Sequence, residues 1–260
     1  MTAAAPHQDL AASTPEPRRR RSPGRYLVTP IGLAIVLGAL YVYVAGQELD
    51  TIEARSLNAD RLLTALWQHV QLAVVSTVVT LAIAIPLGVA LTRPVTRRIR
   101  PLIITVLTVL QAVPTIAILV LLAVAFLFLG FAAAIVGLVL YAIVPVLLNT
   151  MVGIEQVDDA VLEAGRGMGM SRFTVLRRIE LPLSVPVMLA GIRTALVINV
   201  GTATLVTYIN AGGLGDIIVA GLSTNRFTVQ LVGAVLTAVL ALLIDYLAGI
   251  AEDLLRPRGL

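Results

Sequence analysis

Residues Glu163 to Pro182 read EAGRGMGMSRFTVLRRIELP, a polar, glycine-spaced island between two strongly apolar stretches, at about 131–149 and 184–210. The island is too polar to lie in hydrocarbon. Its flanks approach the roughly 20 residues needed to cross about 30 Å of bilayer, so the fold is organised around a loop that joins two spans. Within the wider loop, 150–182, Asp158 is placed to cap a short helix over Ala160, Val161, Glu163 and Ala164. Gly165, Gly167 and Gly169 are expected to end that helix, because glycine adds backbone freedom and brings no side chain to pack. Ser171 can cap a second helix through Phe173, Val175, Leu176 and Ile179, which Pro182 is expected to redirect. The expected product is a short amphipathic protrusion on a tight turn, a shape suited to a groove on a partner.

Outward from this loop the chain is a series of apolar runs, at about 28–46, 69–92, 102–129, 131–149, 184–210 and 229–251. Five have close to the length of one membrane crossing. The third is longer and contains Pro114, which predicts a kink or break there. Its boundary with the fourth, near Leu129-Gly130, leaves almost no connecting loop. With 58% hydrophobic and 13% charged residues, a soluble globule would lack polar surface to cover itself. Arginine placement sets the expected orientation. With the N-terminus inside, fifteen arginines (18–21, 25, 93, 97, 98, 100, 166, 172, 177, 178, 256 and 258) fall on the cytoplasmic side. Only Arg55, Arg61 and Arg226 fall outside, with Arg193 inside a span. The reading is six spans, both ends cytoplasmic, and the Glu163 loop inside the cell.

Residues 1–26 are rich in Ala, Pro, Ser and Arg and read as a disordered basic cytoplasmic tail. Tyr43-Val44-Ala45 is the one weak cleavage-like site, so the first run reads as a retained anchor. The external segment from Gln47 to Trp67 is acidic and reads as a solvated loop, with Trp67 an interfacial anchor. Cysteine is absent, which excludes disulfides and thiolate chemistry. Lysine is absent too, which excludes a phosphate-loop GxxxxGK[ST] motif, so ATP hydrolysis by this polypeptide alone is not expected. A net charge of +4 raises nucleic acid as a partner, but the arginines flank apolar spans, as membrane topology requires. Gly165, Gly167 and Gly169 fail as a dinucleotide fingerprint, because Met170 stands where the third motif glycine would be and no strand precedes. His7 and His69 have no catalytic company, and no metal, cofactor or paired-carboxylate motif appears in the sequence.

The pattern Glu163-Ala164-Gly165, then Gly169, then Ile179, Leu181 and Pro182 resembles the signature loop of permease subunits in ATP-binding-cassette importers. The longer run from Arg166 to Asp216, with QAVPTIAIL at Gln111 to Leu119, is similar to the osmoprotectant branch handling glycine betaine, carnitine and choline. The resemblance covers roughly Leu62 to Gly249. It implies an all-α, polytopic type-1 importer permease fold: an anchor helix and external loop at 27–61, a core at 62–250 and a cytoplasmic tail at 251–260. It also implies that 150–182 is a coupling loop in a cleft of a separate cytosolic ATPase. An extracytoplasmic solute-binding protein and a second permease, identical or homologous, would complete the importer. Gly165 departs from the family's second alanine, at a cost of about 1 kcal/mol in helix propensity.

Polar residues inside spans mark either a pathway or helix–helix hydrogen bonds. The candidates are Gln111, Pro114 and Thr115 in the third span, Tyr141, Pro145 and Asn149 in the fourth, and Asn199, Thr202, Thr204 and Thr207 in the fifth. Tyr141 and Tyr208 can offer aromatic faces to a quaternary ammonium, or simply pack. Residues 211–216, AGGLGD, form a tight glycine turn, a gate or a docking edge on the outer face. Arg193 and Asp245 are expected to form a buried ion pair near the inner ends of the fifth and sixth spans. A different class, a secondary transporter or channel without ATP, would call for more intramembrane acidic residues than Asp245 and for inverted repeats.

Overall fold

The computed structural model describes residues 23–255, with side chains from Tyr26 onward. The basic stretch Arg18–Arg21 and the last five residues lie outside the described part. The elements in chain order are α1 (Pro23–Ala45), α2 (Thr51–Ser56), α3 (Ala59–Leu91), α4 (Arg100–Ala112), α5 (Thr115–Ala125) and α6 (Gly130–Glu155), followed by α7 (Asp159–Gly167), α8 (Arg172–Val175), α9 (Leu181–Thr202), α10 (Leu214–Ser223) and α11 (Phe227–Leu255). No strand occurs among the described residues. Five helical stretches are long and apolar enough to cross a membrane, and the pair α4 and α5, bent by 89°, makes a sixth if counted as one span.

The break in that pair falls at Val113-Pro114, where Pro114 opens α5 and the preceding residue is extended. Proline disfavours a helical conformation in the residue before it and removes a donor, so the break lies where the sequence predicts it. The α5–α6 link is Phe126–Leu129, as short as expected, with Leu127 at φ 51° turning the chain.

Helix α6 is the central post. It packs against α3, α4, α5 and α9, while α11 packs on α9 and α10 and carries α1 on its outer side. Three apolar clusters fill the contacts. Leu91, Leu147 and Met151 anchor one between α3 and α6. Leu72, Leu119 and Leu138 anchor another among α3, α5 and α6, and Leu214, Ile217 and Val229 tie α10 and α11 to α3 in the last. At Gly191 on α9, a Cβ would lie 2.6 Å from the Asn149 Cβ of α6, so the α6–α9 contact depends on glycine. Helix α1 buries only Leu33 among its described side chains and otherwise presents Ile31, Ile35, Tyr41 and Val42 outward. That is the surface of a helix in lipid.

Three boundaries differ from the sequence expectation. The fifth span does not reach residue 210: its α-helix ends at Thr202 and a 3₁₀ turn covers Leu205–Ile209. Thr202 and Thr204 bond back to the Ile198 and Gly201 carbonyls at 2.7 and 2.8 Å, competing with the helix ladder, and Thr204, Thr207 and Tyr208 therefore lie beyond the span. After the turn, the ten-residue α10 dips back against α11, an element the sequence reading lacked because it is about half a span long. Finally, α3 begins at Ala59, ten residues before the apolar run, capped by Asn58 accepting from the Arg61 N–H at 2.8 Å. At 33 residues it is about 50 Å long and projects beyond the hydrocarbon, with Trp67 exposed on it.

The short α2 sits beside this projection, at the start of α11. Asp50 caps it by accepting from the N–H groups of Ile52 and Glu53, Glu53 accepts the Asp50 N–H in return, and Arg226 approaches Asp50 at 2.7 Å. The Glu53 N–H, with Arg226 beside it, holds the Asp50 carboxyl below the usual carboxylate range.

Candidate functional site

The polar island folds into a hairpin of short helices at the end of the bundle where α6 stops and α9 begins. Asp158 Oδ1 accepts from the Ala160 N–H at 2.8 Å and starts α7. The helix runs through Gly165 and Gly167, which do not end it as the sequence reading expected. It stops at Met168, and Gly169 at φ +84° turns the chain. The Met170 N–H bonds to the Gly165 carbonyl at 3.1 Å and the Gly169 N–H to that of Arg166 at 2.9 Å. This is the Schellman arrangement, which satisfies the last carbonyls of a helix and favours glycine at the left-handed position.

Gly165 is buried, and a Cβ there would come within 2.6 Å of Ile179 Cδ1. Two positions of the motif are therefore in direct packing contact, and the glycine makes room for the isoleucine. Ser171 Oγ accepts from the Thr174 N–H at 3.2 Å and starts α8. Pro182 does not redirect the chain. A π turn over Leu176–Glu180, closed by the Leu181 N–H on the Leu176 carbonyl, leads straight into α9, where Pro182 occupies the first turn. The wider π turn accommodates a residue that has no N–H to give the preceding turn, so α8, the π turn and α9 continue as one rod, Arg172–Thr202.

Glu163 and Ala164 are exposed on α7, and Leu181 is half-buried at the root of the rod. The turn is held by Asp158, Ser171 and backbone groups, without a part for the Glu163 carboxylate. Met168 at 71% and Phe173 at 70% exposure project from the same protrusion. Two ion pairs bind the roots of the protrusion to the α3–α4 connection. Arg93 forms a forked pair with Glu180, which is only 4% exposed, and Arg100 does so with Glu155. Opposite charges 55 and 87 positions apart carry no local sequence signal, and the sequence reading missed them.

Arg193 and Asp245 meet in a forked pair, Nε to Oδ1 at 2.5 Å and Nη2 to Oδ2 at 2.6 Å, with Glu252 3.9 Å from Nη1. The side chains remain 34% and 33% exposed, so the pair is half-buried and not enclosed as expected. It opens on a cavity of about 250 Å³ shared with Tyr26 and Tyr246. The Tyr246 hydroxyl donates to the Tyr26 carbonyl at 2.8 Å, and that of Tyr26 to Asp253 at 2.9 Å, tying the start of α1 to α11.

The candidate pathway residues divide into separate places. Gln111 Nε2 donates to the Tyr141 carbonyl at 2.5 Å beside the Pro114 break, bringing those three together. Asn149 bonds within its own helix to the Pro145 carbonyl at 2.8 Å. Asn199 is fully buried and donates to Thr77 Oγ1 at 3.0 Å, leaving its Oδ1 without a protein donor. Thr202 bonds back along α9, and Tyr208 is 55% exposed at the opposite end of the bundle from the protrusion.

At that opposite end the glycine turn 211–213 is clamped by Gln68, which the sequence analysis does not single out, and by His69, which it sets aside. Gln68 Oε1 accepts from the Gly213 N–H at 3.1 Å, and the buried His69 accepts from the Leu214 N–H through Nδ1 at 3.2 Å. His69 Nε2 faces the Val200 carbonyl at 2.9 Å, so the neutral tautomer with Nε2–H satisfies both partners. One imidazole thereby links α3, α9 and α10.

The sequence family described as binding-protein-dependent transport system inner membrane component matches residues 84–258. Carnitine transport permease protein OpuCD of Listeria monocytogenes is 41% identical over 209 residues, 79% of this chain and 92% of the relative. Choline transport system permease protein OpuBB of Bacillus subtilis is 38% identical over 203 residues, 78% of this chain and 92% of the relative. Glycine betaine/carnitine/choline transport system permease protein OpuCD of the same organism is 39% identical over 214 residues, 81% and 90% of the two chains. Among solved structures, the inward-facing MetNI methionine ABC transporter superposes with a TM-score of 0.66 at 23% identity, over 75% of this chain and 96% of that one. An amino acid ABC transporter with histidines gives the same TM-score at 16% identity, over 80% and 99%. The chain therefore belongs to the binding-protein-dependent inner membrane components, as a multi-pass, all-α permease with the type-1 ABC importer fold.

Proposed function

We propose that this chain is the permease subunit of an ATP-driven importer moving a quaternary ammonium or betaine-type osmoprotectant across the bacterial cytoplasmic membrane. The observation that carries the solute class is the identity of 38–41%, over most of both chains, to permeases named for carnitine, choline and glycine betaine. Both termini and the Glu163 protrusion lie in the cytoplasm, in keeping with fifteen arginines against three.

The energy source is a separate ATPase subunit. The protrusion formed by Glu163, Ala164, Gly165, Gly169, Ile179, Leu181 and Pro182 inserts into it, with Met168 and Phe173 as the apolar contact. ATP binding draws two such protrusions together and turns the pathway outward; hydrolysis restores the inward state. A second permease, identical or homologous, supplies the facing wall of the pathway, and a solute-binding protein delivers the cargo at the outer face. The α4–α5 break, with Gln111, Pro114 and Tyr141, lines the pathway, because an interrupted helix gives a crossing solute polar partners. Asn149, Thr202 and Tyr208 have lesser parts along it, Asn199 braces α9 on α3 through Thr77, and Arg193 with Asp245 fixes the inner ends of α9 and α11.

The test is uptake of labelled glycine betaine, carnitine and choline by cells lacking other carriers, with and without this permease and its partner subunits. Faster entry of at least one of the three is expected. Entry of an unrelated class, such as amino acids, with none of the three would overturn the solute assignment.

A further inference from the structure

We infer that the connection between α3 and α4 receives the ATPase stroke together with α6 and α9, through Arg93 and Arg100 acting as positioning residues. This rests on the reading of the 150–182 protrusion as the coupling element and extends it. Glu155 is the last residue of α6, where the chain enters the protrusion, and Glu180 is the last residue of the π turn, where it leaves. Each root carries one carboxylate, and each carboxylate takes one arginine from a single short connection, Arg93 at one end and Arg100 at the other.

The geometry is that of a transmission and not of scattered surface pairs. Arg93 is itself braced, its Nε donating to the Val89 carbonyl of α3 at 3.2 Å while its two Nη atoms grip Glu180. Glu180 is buried, and that fork supplies its carboxylate oxygens with partners away from water. Arg100 opens α4, a helix in which no residue is buried and which rests mainly on α6. An element so lightly packed follows whatever holds its end. At its far end α4 carries Gln111, bonded to the Tyr141 carbonyl beside the Pro114 break. A displacement of the protrusion is thus delivered to α3 through Arg93 and to the broken span through Arg100. Forked arginine–carboxylate pairs suit this role, since two parallel bonds resist rotation as well as separation.

The experiment uses the complete importer, permease with ATPase and binding protein, in vesicles, and reads solute imported per ATP hydrolysed. Arg100→Glu, Glu155→Arg and the double swap form one set. That pair is partly exposed, so the single variants fold. Arg93→Gln, Glu180→Gln and the Arg93→Glu/Glu180→Arg swap form the other. Single variants are expected to keep the ATPase subunit bound and hydrolysing while import per ATP falls about tenfold, an ordinary size for a coupling effect. Each swap should restore the ratio towards wild type, a rescue that loss of packing alone would not give. An unchanged ratio in Arg100→Glu and Glu155→Arg, or swaps that fail to restore it in an intact complex, would overturn the inference and leave the coupling reading standing. A wild-type permease that imports solute without retaining any ATPase would overturn both.

Discussion

Beyond its two chain neighbours, Gly169 has no atom of the fold within 4 Å of where a Cβ would stand, yet its φ is +84°. Substitution there has two separable effects. Any L-residue meets the left-handed penalty, about 1–2 kcal/mol, and Gly169→Ala should show little else. Gly169→Trp adds bulk at a position open around the Cβ, so a loss beyond that of Gly169→Ala is expected to report what the protrusion meets outside it. The expected result is that both variants insert, that Gly169→Ala still binds the ATPase and imports solute, and that Gly169→Trp loses both. Full import by a well-inserted Gly169→Trp protein would show that the protrusion is not the coupling element. Gly165 differs in kind, because its missing side chain is occupied by Ile179 from within the fold. The spacing of the motif was legible in the sequence. The packing of its third position on its later isoleucine was not, since spacing carries no information on how a loop closes on itself.

At the level of elements, hydropathy and Pro114 disclosed the spans and the break, while the helix ends followed other forces. The π turn before Pro182 spares that residue a lost hydrogen bond, and a reading by propensity alone expects a redirection there. The dip of α10 is held by side chains from a helix some 145 positions earlier in the chain, which no local pattern can announce. His69 is the strongest case. Read along the chain it is a lone histidine near a span edge; in the fold it is fully buried and joins three helices. His69→Ala would strand the Leu214 N–H and the Val200 carbonyl in a dry site, at about 1–3 kcal/mol for each unpaired group. The expected outcome is a lower thermal midpoint in detergent and faster proteolysis within 210–213, with His69→Gln intermediate because its amide can keep one of the two bonds. Unchanged protection of that turn in His69→Ala would remove the histidine from this role.

For the whole molecule, orientation and assembly decide what the site can do. The protrusion can meet a cytosolic partner, and the α10 turn an extracytoplasmic one, only if the protrusion's end of the bundle faces inward. The loops carrying Arg93–Arg100 and Arg166–Arg178 cluster at one end with the Glu155 and Glu180 carboxylates, whereas α2 and the glycine turn 211–213 both lie towards the start of α3. Clustered arginines resist translocation, so the first end is expected in the cytoplasm. The chain contains no cysteine, which makes single-cysteine labelling free of background. Cysteines placed at Gly167 and Arg97 should resist a membrane-impermeant maleimide in intact cells and react after permeabilisation. Those at Ala54 and Asn225, exposed at the other end, should react from outside without it. The reverse pattern would invert the topology, remove the protrusion from reach of any cytosolic ATPase, and return the chain to the class of transporters that work without one.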